Sequence, residues 1–213
     1  MPSIVLASVS PRRSSLLREW GIPFRIVPPE GVDEEAVTGE AGDVARELAL
    51  QKALAALAGI AGEDALVVGA DTVVTVDGEI LGKPRDAADA RRMLGMLAGR
   101  SHRVITGVAV ARAGRPAAVE AESSEVLFRP LAPAEIDAYI ATGDPEGKAG
   151  AYGIQSGGGN LVAGFRGCYL NIVGLPVRRL VAMLRDAGAA LPGSPADCAC
   201  RGHPLWRGGE GCR

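Results

Sequence analysis

The feature that most constrains the fold is a pair of short apolar segments, residues 4–7 and 65–70, each followed at once by a polar residue. An apolar run of about four to eight residues with polar boundaries is typical of a buried strand. The first run leads into Ser10 and Pro11, which favour a helix start. A buried strand that leads directly into a helix predicts an α/β fold.

Further elements follow from apolar spacing and turn residues. Helices are predicted over residues 11–20, 43–57, 86–98, 133–141 and 176–187, and the expected N-caps of the first three are Ser10, Asp43 and Asp86. Strands are predicted over residues 4–7, 24–27, 65–70, 102–112, 119–128, 161–165 and 169–173. Asp77 and Gly78 lie between alternating apolar residues, which predicts a tight hairpin. Residues 1–190 are expected to form one domain, followed by a flexible Pro-, Gly- and Cys-rich tail, residues 191–213.

Charge and hydropathy exclude two classes of partner. The formal net charge is -2, from 23 basic and 25 acidic residues, so no overall positive field draws the chain to nucleic acid or to lipid headgroups. The longest apolar runs, residues 65–70 and 105–111, fall far short of the roughly 20 residues that cross a bilayer. No basic region precedes an apolar stretch at the start of the sequence, so a cytoplasmic protein is expected.

Charged residues beside the first two strands point to an anion site. Arg12 and Arg13 lie in the first turn of a predicted helix, where cations are unfavourable against the helix dipole unless an anion joins them. Asp71 and Thr72 follow the second apolar run, and α/β proteins often place functional groups at the carboxyl end of a strand. The two observations together favour an anionic ligand held near a carboxylate.

The remaining candidate charges suit a polyphosphate and a divalent metal ion. Lysine occurs only at Lys52, Lys83 and Lys148, and a glycine-rich segment follows the last of them. With Glu34 and Asp71, these cations can clamp phosphates while a carboxylate activates water. Spacing alone leaves a second interpretation open, in which these residues are scattered surface charges.

Five collinear motifs extend this pattern over roughly residues 3–188: LASVSPRRSSLL from residue 6, GADTVV from 69, ILGKP from 80, KAGAYGIQ from 148 and VGLP from 173. As a set they resemble the Maf family of nucleoside triphosphate pyrophosphatases. The resemblance implies an α/β fold of the Maf/ITPase-like kind, with a mixed central sheet flanked by helices and a substrate cleft between two lobes. It also implies a homodimer that hydrolyses nucleoside triphosphates to the monophosphate and pyrophosphate with Mg²⁺, Mn²⁺ or Co²⁺.

The resemblance also implies a role for each candidate residue. The family's catalytic acid falls on Asp71, and its phosphate-clamping groups fall on Lys52, Lys83 and Arg13. Glu34 and Asp71 match the residues that would hold the metal. The implied substrate-binding residues are Ser8, Ser10, Arg12, Arg13, Thr72 and Gln155.

Substrate preference is implied by three of these positions, Arg12, Thr72 and Gln155, which match the family branch that prefers dTTP and UTP. An amide can donate and accept hydrogen bonds at the edge of a pyrimidine base, whereas a carboxylate only accepts. Ser156 departs from the family pattern, in which glycine usually follows the glutamine.

Two alternatives stay open: a nucleotide-binding regulator of septum formation without turnover, and a pyrophosphatase for methylated purine nucleotides. Asp71 favours an enzyme, because a pure binder has no need for an acid beside a polyphosphate. In the tail, a flexible and dispensable segment with free thiols is favoured over a zinc site formed by Cys198, Cys200, His203 and Cys212.

Overall fold

A seven-stranded sheet runs through the described part of the computed structural model, residues 2–191 and 199–208. Its strands are β1 (Ser3–Ala7), β2 (Arg25–Ile26), β3 (Ala65–Val76), β4 (Glu79–Leu81), β5 (Ser101–Ala111), β6 (Ala118–Phe128) and β7 (Val162–Arg166). Their order is β2-β1-β3-β5-β6-β7, and β4 pairs with the end of β3. Strands β2, β1 and β3 are parallel and the other pairs are antiparallel, which confirms the expected mixed sheet.

Helices lie on both faces of this sheet: α1 (Pro11–Glu19), α2 (Ala41–Ala58), α3 (Ala87–Leu97), α4 (Pro133–Ile140), α5 (Tyr169–Val173) and α6 (Val177–Asp186). Short 3₁₀ turns occupy Ala149–Ala151, Gly157–Leu161 and Ala199–Gly202. Helix α2 packs against β3 and β5 on one face. The largest apolar core includes residues of α1, α3 and α6. The predictions for α1, α3, α4 and α6 are confirmed with nearly the expected bounds.

The predicted N-cap of α2, Asp43, is wrong. The helix begins at Ala41, and the N-cap position is taken by Glu40. Asp43 lies instead in the first turn, where its carboxylate pairs with Arg46 at 2.5 Å. A carboxylate is favourable at either position because the helix dipole is positive there, so the sequence signal does not distinguish them.

Residues 169–173 form helix α5 and not the predicted strand. A five-residue apolar segment fits both patterns, and tertiary contacts decide between them. Cys168 Sγ accepts the Asn171 N–H at 3.4 Å, and the Asn171 side chain donates to Val104 O of β5 at 2.9 Å. Gly174, with φ of 121°, ends the helix.

Strand β3 extends beyond the predicted residue 70, through Asp71 to Val76. The extension occurs because β5 pairs with it in antiparallel register from Val67 to Thr75. Its parallel neighbour β1 ends at Ala7, opposite Gly69. The prediction that Asp71 follows the end of its own strand is therefore wrong. Asp71 lies within β3, just past the point where the neighbouring strand β1 ends.

Two glycines bring α2 directly onto the sheet. A Cβ atom on Gly69 would lie 2.0 Å from Ala49 O, and one on Gly107 would lie 2.0 Å from Ala45 O. The backbone of the helix therefore contacts the sheet at positions where any side chain would intrude. Asp71 is the register partner of Gly107, so the next turn of α2 lies close to its carboxylate.

The described part of the tail lies along strand β7. Phe165 N donates to Leu205 O, and Arg207 N donates to Phe165 O, each at 2.8 Å. The His203 ring stacks on Tyr169 with centroids 4.5 Å apart. The boundary at residue 190 and the flexibility of the tail stay predictions, and two of the four suggested zinc ligands, Cys198 and Cys212, lie outside the described residues.

No helix within residues 2–191 or 199–208 combines the length and the apolar character that crossing a bilayer requires.

Candidate active site

Every site residue predicted from the sequence lines one cavity of about 740 Å³. The cavity is bounded by the start of α1, the segment after β2, helix α2, strand β3 and the segment 144–156. The structure thus brings together Ser8, Ser10, Arg12, Arg13, Glu34, Lys52, Asp71, Thr72, Lys83 and Gln155.

The topology of the sheet explains why the cavity lies here. Strand β1 ends at Ala7, while β3 continues past it, so that Asp71 and Thr72 line the resulting space. Asp71 and Thr72 are adjacent in β3, so their side chains point to opposite faces of the sheet. Asp71 faces α2, and Thr72 faces the side that carries α1 and α5.

Four side chains of alternating charge form a row in the cavity. Lys52 Nζ donates to Asp71 Oδ1 and, at 2.6 Å, to Glu34 Oε1. Lys83 Nζ donates to Glu34 Oε2 at 2.7 Å. Lys52 is 7% exposed and Asp71 8% exposed, so this ion pair is largely shielded from water. The row is Asp71, Lys52, Glu34 and Lys83, and its formal charges cancel.

The two lysines lower the pKa of Glu34. Burial raises the pKa of this carboxyl, but hydrogen bonds and charge from Lys52 and Lys83 outweigh burial and lower the pKa to about 2. Glu34 therefore carries a negative charge over the whole neutral range.

Arg13 is held by three neutral oxygen atoms. Its Nε donates to Gly174 O at 2.9 Å, Nη1 to Ser8 Oγ at 3.2 Å and Nη2 to Thr72 Oγ1 at 3.2 Å. No carboxylate of the described residues forms an ion pair with it. Burial lowers the pKa of Arg13, an effect that the charge of Asp71 partly offsets. The guanidinium is thus fixed in place with its charge only partly compensated, which suits the binding of an anion.

The proton of the Thr72 hydroxyl is engaged by a protein atom. Thr106 Oγ1 uses its single proton to donate to Asn171 O at 3.0 Å. In the 2.9 Å contact between Thr72 Oγ1 and Thr106 Oγ1, Thr72 must therefore be the donor. A directed chain runs from Arg13 through Thr72 and Thr106 to Asn171, and no proton of Thr72 is left for a base.

Two of the predicted substrate-binding side chains are unengaged. Gln155 is exposed, Arg12 is half-buried, and neither side chain makes a hydrogen bond or ion pair to a described residue. Ser10 is at the N-cap position of α1 but makes no capping side-chain hydrogen bond; its N–H donates to Ser8 Oγ at 3.2 Å. Arg12 and Gln155 therefore remain available to a ligand.

Sequence reasoning missed Thr106 and Asn171, which support the site from behind. Both are fully buried, and the Asn171 side chain accepts from Thr106 N at 3.0 Å and donates to Ser124 Oγ at 2.9 Å. Each is a lone polar residue inside an apolar segment, and this was the available signal. A buried polar side chain requires a hydrogen-bond partner, so such a position indicates a specific contact.

Asp71 and Glu34 are the carboxylates of the cavity that a divalent cation would contact. Within the described residues, no group of three or more His, Cys, Asp or Glu side chains could hold a metal ion. Asp71 and Glu34 do provide two carboxylates within hydrogen-bond distance of the same ammonium group, that of Lys52. Mg²⁺ is commonly held by one or two carboxylates together with substrate phosphates. These residues therefore fit a cation that binds together with a polyphosphate.

Comparison with known proteins places the chain in a family. The family model described as Maf-like protein matches residues 3–187. A dTTP/UTP pyrophosphatase of Symbiobacterium thermophilum is 47% identical over 212 residues, which cover 99% of this chain and 100% of the relative. Enzymes of the same name from Moorella thermoacetica and Citrifermentans bemidjiense are 50% and 51% identical, each over 88% of this chain and 96% of the relative. The chain therefore belongs to the Maf-like protein family.

Proposed function

We propose that this chain hydrolyses dTTP and UTP to the nucleoside monophosphate and pyrophosphate. The observation that carries the proposal is Arg13, a half-buried guanidinium whose hydrogen bonds go only to neutral oxygens. Burying a cation without a counter-charge is costly, so the site is suited to an anion that completes it. Relatives that are 47% to 51% identical and named dTTP/UTP pyrophosphatase support a nucleoside triphosphate as that anion.

Phosphate binding is assigned to Arg13, Lys52 and Lys83, with Ser8 as a neutral partner. These groups reach the cavity from α1, from α2 and from the segment after β4, so a chain of phosphates can be contacted from several sides. Cations that are fixed before the substrate arrives stabilise the charge that develops on phosphate oxygens in the transition state.

Asp71 is the proposed general base. Its Oδ1 accepts from Lys52, while Oδ2 accepts no hydrogen bond from a described residue. In the proposed step, Asp71 takes a proton from water as the water oxygen attacks the α-phosphorus. The bond between that phosphorus and the α–β bridging oxygen breaks, and its electron pair leaves with pyrophosphate. Lys52 and Lys83 stabilise the charge on this leaving group.

Asp71 and Glu34 are also the residues proposed to hold a divalent cation, Mg²⁺, Mn²⁺ or Co²⁺. Such a cation, when bound, neutralises charge on the phosphate oxygens. The Lys52 ammonium keeps the two carboxylates close together, which supports their use as a pair.

Base recognition is assigned to Gln155 and Arg12. A carboxamide donates and accepts at once, which matches the N3–H and O4 edge of uracil or thymine. Thr72, which the sequence pattern associates with the same preference, is proposed to act through Arg13 because its hydroxyl is already engaged.

The experiment that tests this function is product identification. Purified chain is incubated with dTTP, UTP, GTP and 7-methyl-GTP in the presence of Mg²⁺, Mn²⁺ or Co²⁺, and the products are separated by anion-exchange chromatography. We expect dTMP or UMP with pyrophosphate. Release of orthophosphate with dTDP or UDP would contradict the proposal, because it places the attack at the γ-phosphorus.

The same experiment separates the two alternatives. A higher kcat/KM for 7-methyl-GTP than for UTP would favour a pyrophosphatase that acts on methylated purine nucleotides. Binding of UTP by calorimetry without any turnover would favour a regulator. The resemblance to the family further supports a cytoplasmic homodimer, and light scattering of the purified chain tests the dimer.

A further inference from the structure

Asp144 is the centre of a hydrogen-bond cluster on one wall of the cavity. Its Oδ2 accepts from Tyr139 Oη at 2.6 Å, from Ser156 Oγ at 2.8 Å and from Gly158 N at 3.3 Å. Its Oδ1 pairs with Lys148 Nζ at 3.1 Å. Burial raises the pKa of Asp144, but these hydrogen bonds outweigh burial and hold the pKa below its usual range. An ionised carboxylate thus ties helix α4 to the cavity wall.

The turn that presents Gln155 is closed by Ser156. Ser156 N donates to Gly153 O at 3.1 Å, so Gln155 is the third residue of a four-residue turn. Ser156 Oγ lies 2.8 Å from Asp144 Oδ2 and 3.1 Å from Gly153 O. Because the Gln155 side chain has no partner of its own among the described residues, its position depends on how firmly this turn is held.

The cluster leaves little room for the turn to shift. A Cβ atom on Gly153 would lie 2.8 Å from Ser156 Oγ and 2.9 Å from Lys148 Cε, and one on Gly158 would lie 2.9 Å from Tyr139 Oη. Real Cβ contacts are longer than this, so both sites are already filled by the neighbouring side chains. Removing the Ser156 hydroxyl leaves Tyr139, Lys148 and Gly158 to hold the carboxylate.

We infer that Ser156 is a positioning residue, which through its hydrogen bond to Asp144 fixes the Gln155 carboxamide for contact with the pyrimidine base. The inference rests on the proposed function, in which Gln155 meets that base. A side chain that is ordered before binding loses less conformational entropy when the ligand arrives. The hydroxyl, which itself lines the cavity, therefore contributes to affinity through Gln155.

The effect of Ser156 is confined to the base. The proposed phosphate-binding groups Arg13 and Lys52 lie on other elements, α1 and α2, and Ser156 makes no hydrogen bond to either of them. Removing its hydroxyl should therefore change the binding of a nucleotide but not the binding of inorganic triphosphate, which carries no base.

The first test compares the Ser156→Ala and Ser156→Thr variants. For Ser156→Ala we expect the KM for UTP to rise about tenfold, the worth of one hydrogen bond to a charged group. The kcat and the inhibition constant of inorganic triphosphate should stay within about twofold. Ser156→Thr keeps the hydroxyl at an exposed position with extended backbone (φ -118°), so it should restore the KM. Ser15→Ala, at an exposed serine of α1, is the matched control and should behave like the wild type.

The second test repeats Ser156→Ala in a Gln155→Ala background. If Ser156 acts through Gln155, the second substitution adds no further rise in KM, since double-mutant cycles report such coupling. An undiminished effect in that background, an unchanged KM in the single variant, or a parallel loss of triphosphate binding would each overturn the inference while UTP hydrolysis stands. A wild-type chain that releases no pyrophosphate from UTP would instead refute the proposed function, and the inference with it.

Discussion

Thr72 Oγ1 accepts a hydrogen bond from Arg13 Nη2 at 3.2 Å, although the two residues are 59 positions apart in the sequence. The same hydroxyl donates to Thr106 and so cannot donate to a ligand. The geometry therefore gives Thr72 a part in orienting the guanidinium that is proposed to bind phosphate.

A Thr72→Val variant should consequently lose activity toward every nucleotide by a similar factor. One hydrogen bond to a charged group is lost, which predicts a fall in kcat/KM of about tenfold for dTTP, UTP and GTP alike. Thr72→Ser keeps the hydroxyl and should retain most of the activity. A loss confined to the two pyrimidine nucleotides would show that Thr72 reads the base.

Asp71→Asn should fold normally but lose at least about a hundredfold in kcat, the low end for removing a general base. Folding should survive because Lys52 keeps its second carboxylate, Glu34. Initial rates with UTP and a thermal unfolding curve check both statements. Asp43→Asn removes an exposed, paired carboxylate on α2 and serves as the control; near wild-type activity in Asp71→Asn would assign Asp71 a structural role only.

The contribution of Glu34 to the stability of the fold should be lost in acid. Its pKa falls from 4.5 in the unfolded chain to about 2 in the folded chain, so the ion contacts stabilise the fold above about pH 4.5 and are lost as the pH falls toward 2. The stability difference between wild type and Glu34→Gln, measured by urea unfolding, should shrink from pH 5 to pH 3. Carbon-13 NMR titration should give a Glu34 pKa near 2, and Lys83→Met should raise it. A pKa near 4.5 in the wild type would mean that the lysine contacts do not persist in solution.

Gly107→Ala should destabilise the fold by about 3 kcal/mol or prevent folding, because overpacking a filled site typically costs about 1 to 3 kcal/mol and the new methyl group meets backbone 2.0 Å away. Gly95→Ala is the control, since Gly95 lies within α3 and a Cβ there meets nothing within 4 Å. That variant should be more stable by about 0.5 to 1 kcal/mol. The measurement is the free energy of unfolding of both variants in urea. If Gly107→Ala changes it no more than Gly95→Ala does, α2 can move off the sheet at little cost.

Truncation after Leu191 should lower stability, contrary to what the sequence alone suggests. It removes two backbone hydrogen bonds to Phe165 and the partly buried Leu205 and Trp206, which together are worth about 2 to 4 kcal/mol. Truncation after Gly208 spares these contacts and should have a much smaller effect. The measurement is urea unfolding with thiols kept reduced. Indistinguishable curves for the full chain and for the chain truncated after Leu191 would show that the tail does not stabilise the fold.

Local sequence signals predicted most elements, because helix caps and tight turns are formed by residues that are close together in the sequence. Asp86 caps α3 through Asp89 N at 2.7 Å, and Asp77 and Gly78 adopt the positive φ angles of the predicted hairpin. The end of β3 was not predictable in this way, because it is set by pairing with β5, which is distant in sequence. Helix α5 likewise depends on Asn171, whose hydrogen bonds cross to another strand.

The candidate site shows the same division. Residue types and motifs identified the lining of the cavity, including the charged pair Lys52 and Asp71. They did not identify the contacts that hold the lining in place, since a lone polar residue such as Thr106 or Asn171 does not by itself reveal its partner. Which hydroxyl donates to which neighbour is fixed only by the folded arrangement.

The adjacency of Asp71 and Thr72 in β3 has a mechanical consequence. The proposed base and the partner of the phosphate-binding guanidinium are attached to one strand that is paired along its length with β5. No hinge lies between these two adjacent residues, so the spacing between the proton acceptor and the residue that orients the guanidinium is kept whether or not a nucleotide is present.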